Sequence, residues 1–192
     1  MRIVKYPHPI LRYKCKPLRK IDQTIRDIVQ EMFDLMYETQ GVGLAANQVD
    51  LPYQLIVINP TGDAQQKDKE VVLINPIILK LRGNEEGEEG CLSFPDMRLI
   101  VPRARECKFQ AIDLKGQVVN YHWKGFDARI VQHETDHLSG VSFFQHAVAS
   151  NGDLETQLLK LQVKFKEDLK NGLEPTEEQF LESVKKWEEE RA

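Results

Sequence analysis

Cysteine and histidine are both scarce in this chain. The three cysteines, Cys15, Cys91 and Cys107, are odd in number and lack the spacing of a disulfide framework. That excludes a disulfide-stapled secreted module and fits reduced thiols in a cytosol-like compartment. No apolar run approaches the roughly 20 residues of a membrane span, which argues against a membrane partner. The opening MRIVKYPHPILRYKCK is broken by Pro7, Pro9 and several charges, so it offers no continuous apolar core for a secretory signal. No strong basic patch is present, and the formal net charge is −4. DNA is therefore not expected as a partner, and the mildly basic stretch from Arg12 to Lys20 reads as a solvated face. Internal repeats and low-complexity linkers are absent too. Together these point to a cytoplasmic location.

What remains is an ordinary composition, 41% apolar and 29% charged over 192 residues, enough for one domain with a real core. From Ile21 to Gln40 the residues Ile25, Ile28, Val29, Met32, Leu35 and Met36 recur at helical spacing, with Asp22 as N-cap and Gly41 as stop. The runs 54–59, 71–75 and 77–81 are short and rich in β-branched residues, separated by turn chemistry. Segments 107–114 and 117–123 flank Lys115-Gly116 as a hairpin. A second helix is expected from about Phe126 to Ser139, ending at Gly140. Leu154, Leu158, Leu161 and Phe165 then mark a helical tail. Thr176 with Gln179 resembles a capping box opening a last, acidic, loosely attached helix that carries Phe180, Leu181, Val184 and Trp187. Strands adjacent in sequence argue for an α+β fold with antiparallel or mixed sheets around a central metal-binding helix. The expected boundaries are a catalytic domain over 1–170 and a helical extension over 171–192.

The chemistry lies in QHETDHLSG, Gln132 to Gly140. His133 and His137 stand four apart and share one helix face, so both imidazoles reach one metal ion. With Glu134 they match H-E-x-x-H, in which the Glu acts as general base. Glu134 points about 100° away from His133 around the helix and does not serve easily as a ligand. A third ligand is needed. The metzincin pattern requires His at position 143, which is Phe143. A thermolysin-like zincin takes a downstream Glu; Glu155, Glu167 and Glu174 are available, but none stands in a recognisable motif. Upstream, EEGCLSFPD offers Cys91 after Gly90, whose missing side chain would let the backbone come close to a metal or substrate. On the residues alone the reading stops at a mononuclear metallohydrolase.

Three motifs in order, GVGLAANQ (41–48), EGCLS (89–93) and QHETDH (132–137), together with KYPHPILR, resemble the peptide deformylase family over about residues 1–144. The resemblance makes Cys91 the third metal ligand beside His133 and His137. It implies one divalent metal ion per chain, with Fe2+ native and Zn2+, Ni2+ or Co2+ as substitutes. It gives the oxyanion donors as the Gln48 side chain and the Leu92 backbone N–H. Val42, Gly43, Leu44, Gly90, Phe126 and Ile130 are candidates to hold the substrate. The implied substrate is the N-formyl-methionyl end of nascent peptides. The ribosome exit region is a further candidate partner, although the acidic tail speaks against direct RNA contact. Asp136, on the far side of the helix from the ligands, is expected to pair with Arg103. Two positions depart from the family pattern. Thr135 stands where an apolar residue is usual, and Arg129 where bacterial relatives often place an apolar pocket residue. The tail beyond about Lys170 has no counterpart in the motifs. The rival readings are a zincin-type metalloendopeptidase, which predicts a downstream Glu ligand and an unimportant Cys91, and a non-catalytic binding module.

Overall fold

The computed structural model describes residues 1–150 and 153–191. The first helix, α1 (Gln23–Glu38), starts where the Asp22 side chain accepts a hydrogen bond from the Ile25 N–H at 3.2 Å. Its stop differs from expectation by one residue: Gln40, not Gly41, takes the left-handed turn, with φ +57°. Ile25, Met32 and Met36 are fully buried on its inner stripe.

A five-stranded antiparallel sheet follows, built from β1 (Gly43–Ala45), β2 (Leu55–Ile58), β3 (Val71–Arg82), β6 (Glu106–Ile112) and β7 (Val118–Lys124), in the order β1-β2-β3-β6-β7. Segments 71–75 and 77–81, expected as separate strands, form the single strand β3. Asn75, at φ +50°, and Pro76 make a bulge rather than a turn, because β6 continues to pair on both sides of the irregularity. The Asn75 side chain also bonds both the N–H and the C=O of Leu18. The expected hairpin at Lys115-Gly116 is present as β6 and β7, with Gly116 at φ +79°. A second sheet holds β4 (Glu85–Cys91), β5 (Phe94–Arg103) and the short β8 (Ala149–Ser150), also antiparallel.

Between the two sheets runs α2 (Gly125–Leu138). One side of the five-stranded sheet packs Leu44, Leu55, Val57 and Ile74 against α1. The alternate residues Ala45, Ile56, Ile58 and Leu73 face Ala128, Ile130, Val131 and Leu138 of α2. This is the period-2 alternation of a sheet covered on both faces. The second sheet meets α2 through polar groups described below. It also packs Phe94, Met97 and Leu99 against Phe143 and against α3 (Leu154–Lys170).

The last helix, α4 (Glu177–Arg191), opens with the expected capping box. The Thr176 N–H donates to Gln179 Oε1 and the Gln179 N–H donates to Thr176 Oγ1. It is not loosely attached. Phe180 and Val184 are buried against Val4, Ile10 and Leu11, and Trp187 packs edge-on to Tyr53. Hydrogen bonds run from the Arg19 N–H to the Arg191 carbonyl and from the Tyr53 hydroxyl to the Trp187 carbonyl. Leu181 is the exception, standing outside that buried face. No helix among the described residues is long and apolar enough to cross a membrane.

Candidate metal centre

Each arm of the site is placed by a local feature of the chain. His133 and His137 project from the inner face of α2, their rings 5.0 Å apart. Cys91 sits at the end of β4, where a register shift between Gly90 and Cys91 breaks the β4–β5 ladder and re-aims the side chain. Sγ of Cys91 lies 3.1 Å from His137 Nε2. The ligand atoms of Cys91, His133 and His137 all fall within 4.8 Å of one another, the one such group among the described residues.

Glu89 sets the orientation of His133. Its Oε2 accepts from His133 Nδ1 at 2.9 Å, which leaves Nε2 free to face Cys91. The same carboxylate takes a two-point contact from Arg103, Nε to Oε1 at 3.0 Å and a terminal nitrogen to Oε2 at 3.1 Å, and a further bond from Arg129 at 2.8 Å. Burial opposes its charge, but the His133 and Arg103 hydrogen bonds prevail and hold it down at about 2. Arg103 also reaches Asp136 at 2.5 Å, the pairing expected from sequence. Arg129 ties the network to the second sheet through the carbonyls of Val101 and Glu85. Thr135, half-buried, returns its hydroxyl to the Val131 carbonyl one turn back and so needs no outside partner. Sequence reasoning assigned no role to Glu89. The signal was there, since a carboxylate two residues from a ligand cysteine is a natural partner for a ligand histidine.

Glu134 is buried, and desolvation pushes its carboxyl up to about 7. Oε2 has no hydrogen-bond partner among the described residues. The carboxylate lies against Gly43 of β1: a Cβ there would stand 2.6 Å from Glu134 Oε1. Gly43 thus leaves the gap that this carboxylate occupies. Gln48 follows β1 in a short 3-10 turn, Ala46–Val49. Its Oε1 accepts from the Ala45 N–H at 2.9 Å, which settles the amide orientation and sends Nε2 toward Cys91 Sγ (3.5 Å) and Ser93 Oγ (3.3 Å).

These residues fit a divalent cation. One thiol and two imidazoles are a common soft-to-borderline donor set. Burial, with the neighbouring charges of His133 and Arg103, lowers His137 well below the ordinary range and keeps its lone pair available. Burial works against a charge on His133 too, yet hydrogen bonds to Cys91 and Glu89 raise it well above that range.

A cleft of about 720 Å³ opens beside this point. Val42, Gly43, Gly90, Phe126 and Ile130 line it, as do Cys91, Leu92, Gln48, His133 and Glu134. Leu44 does not: its side chain is fully buried in the core against α1. The inward and outward alternation of β1 puts it on the opposite face from the site. Phe126 borders the cleft while more than half exposed, a wall at the mouth rather than a floor. Glu155, Glu167 and Glu174 do not join the ligand group.

The model of the family described as polypeptide deformylase matches residues 1–152. A peptide deformylase of Rhodopirellula baltica is 39% identical over 190 residues, covering 98% of this chain and 94% of that relative. That match extends into the C-terminal segment, which therefore has a counterpart, contrary to the expectation from the motifs. The chloroplastic/mitochondrial peptide deformylase 1B of Arabidopsis thaliana is 42% identical over 90% of this chain, which spans 63% of its length. Among solved structures, the Arabidopsis enzyme in complex with an inhibitor superposes with a TM-score of 0.81 at 41% identity, covering 92% of this chain and 97% of that one. The peptide deformylase of Thermotoga maritima gives 0.71 at 35% identity, covering 76% and 96%.

Proposed function

The chain belongs to the polypeptide deformylase family, and on that premise we propose that it is a metal-dependent hydrolase removing the N-formyl group from formyl-methionyl peptides, with release of formate. The observation that carries this reading is the convergence of Cys91, His133 and His137 beside the buried, unpartnered oxygen of Glu134, at the edge of a cleft. An ion held there, Fe2+ by the family resemblance or Zn2+, Ni2+ or Co2+ in its place, would supply Lewis acidity and lower the pKa of a water.

The chain's own groups do the rest. Glu134 takes a proton from the attacking water as the C–O bond forms, then returns it to the departing methionyl amine as the amide C–N bond breaks. The Gln48 Nε2–H and the Leu92 N–H donate to the oxygen that gains charge as the carbonyl carbon becomes tetrahedral. Val42, Phe126 and Ile130 provide an apolar surface for the methionine side chain. At Gly43 the Glu134 carboxylate, and at Gly90 the Arg98 guanidinium, fill the space a side chain would take, and so crowded a site suits a formyl group better than a bulkier acyl group. The free cysteines fit a reducing compartment such as the cytoplasm, where a thiol ligand persists. Nascent chains at the ribosome exit would be the source of substrate.

The test is a comparison of formyl-Met-Ala-Ser, acetyl-Met-Ala-Ser and an unblocked peptide library as substrates for anaerobically purified protein. Formate from the first, with the other two inert, supports the reading. Cleavage within the unblocked peptides would transfer the site to an endopeptidase.

A further inference from the structure

Two donors on separate elements must meet at one oxygen: the Gln48 side chain on its 3-10 turn and the Leu92 N–H on the β4–β5 connection. Three consecutive residues of the N-terminal segment bridge exactly these two elements. The Val4 N–H donates to the Gln48 carbonyl at 2.9 Å, Lys5 Nζ to the Leu92 carbonyl at 2.5 Å, and the Tyr6 N–H to the Ser93 carbonyl at 3.0 Å. Tyr6 also stacks on Phe94, ring centroids 5.2 Å apart. Two of the three ties are backbone bonds that any residue would make. The third depends on the side chain of Lys5, which is half-buried and borders the same cleft as the ligands. No carboxylate among the described residues pairs with it, so its partner on the protein is the Leu92 carbonyl. A charge-assisted bond in a partly water-excluded place is stronger than a neutral one. It fixes the Leu92–Ser93 peptide plane, one residue beyond the plane that carries the Leu92 N–H.

We propose that Lys5 is a positioning residue for the oxyanion donors, holding the Leu92 carbonyl so that the Leu92 N–H and Gln48 Nε2 converge on one point. This rests on the amide-hydrolase reading above. Preorganised donors lose their effect when displaced by a fraction of an ångström, so Lys5 governs turnover rather than substrate capture.

The experiment takes the metal-loaded full chain as wild type, Lys5→Met and Lys5→Arg, with metal content measured for each. Steady-state hydrolysis of formyl-Met-Ala-Ser is followed, and hydrogen exchange of residues 91–94 is measured without substrate. Lys5→Met is expected to lower kcat about 10- to 100-fold with KM within about twofold, and Lys5→Arg to recover it to within about fivefold. Exchange at residues 91–94 should quicken in Lys5→Met while β2 and α2 keep the wild-type rate. An unchanged kcat, a loss confined to KM, a loss that follows metal content, or unaltered exchange at residues 91–94 overturns the proposal. Should wild type itself release no formate, the reading of the reaction fails instead, and the exchange data still decide whether Lys5 orders the segment.

Discussion

At the scale of single residues, the site is held by atoms that leave no room for substitution. Gly43 is the sharpest case, because the Glu134 carboxylate fills the space where its Cβ would stand. Gly43→Ala is expected to lower kcat about 10- to 100-fold through displacement of the base, with metal content intact by elemental analysis. Glu89 is a second. Glu89→Gln keeps the shape but removes the charge that faces Arg103, Arg129 and His133. A loss of about 10- to 100-fold in metal affinity should follow, read by competition with a chelating dye. At His8, Nδ1 accepts from the Ile10 N–H and the ring is fully buried, so the neutral form is held and burial lowers the pKa to about 4. An unfolded chain takes up that proton already at 6.5 and below, so His8 makes the fold lose stability as pH falls from 6.5 toward 4. Asp50, raised to about 6 by burial nearby, acts in the opposite direction through part of the same window. The His8 contribution is therefore isolated by difference: His8→Asn, which keeps a capping side chain, should lose less stability than wild type by about 2 kcal/mol between about pH 7 and about pH 5 in urea melts.

At the scale of elements, what the sequence disclosed depended on how strongly each segment repeats. α1, α2, α3 and the β6–β7 hairpin follow clear periods and a glycine turn, and they stand where the sequence reading places them. The β4–β5 hairpin escaped notice. Its first strand reads EEGEEGC, charged and glycine-rich: Glu89 answers to Arg103 and Arg129, and Glu85, Glu86 and Glu88 are exposed, so no apolar period marks it. Its second strand does alternate, with Phe94, Met97, Leu99 and Val101 buried, but Pro95 and Pro102 mask the pattern. The three metal-ligand candidates were legible because they sit in motifs. Glu89 and Lys5 also sit in motif stretches, yet their roles were not legible there, since those roles come from elements distant in sequence meeting in space. The Arg103–Asp136 tie, which joins β5 to α2, carries a prediction at this level. A double-mutant cycle should return a coupling of about 1 kcal/mol or more, and none would separate the two elements energetically.

At the scale of the whole molecule, the chain closes on itself. α4 returns to the N-terminal segment, where Phe180 and Val184 are buried against Val4, Ile10 and Leu11. Glu174 makes a two-point contact with Arg2, both bonds at 2.7 Å. The segment that carries Lys5 toward the cleft is therefore backed by the C-terminal helix. Phe180→Ala should lower the unfolding free energy by about 3 kcal/mol, measured by urea denaturation, as for an aromatic removed from a core.

The central claim is that Cys91, His133, His137 and Glu134 act as one hydrolytic unit. Formate release from formyl-Met-Ala-Ser, titrated against metal occupancy for wild type and Glu134→Ala, tests it most directly. The account predicts wild-type activity that rises linearly to one ion per chain, and a Glu134→Ala protein that binds the same ion while turning over at least about 10²-fold more slowly. Full occupancy without formate, or a Glu134→Ala protein as active as wild type, would contradict it.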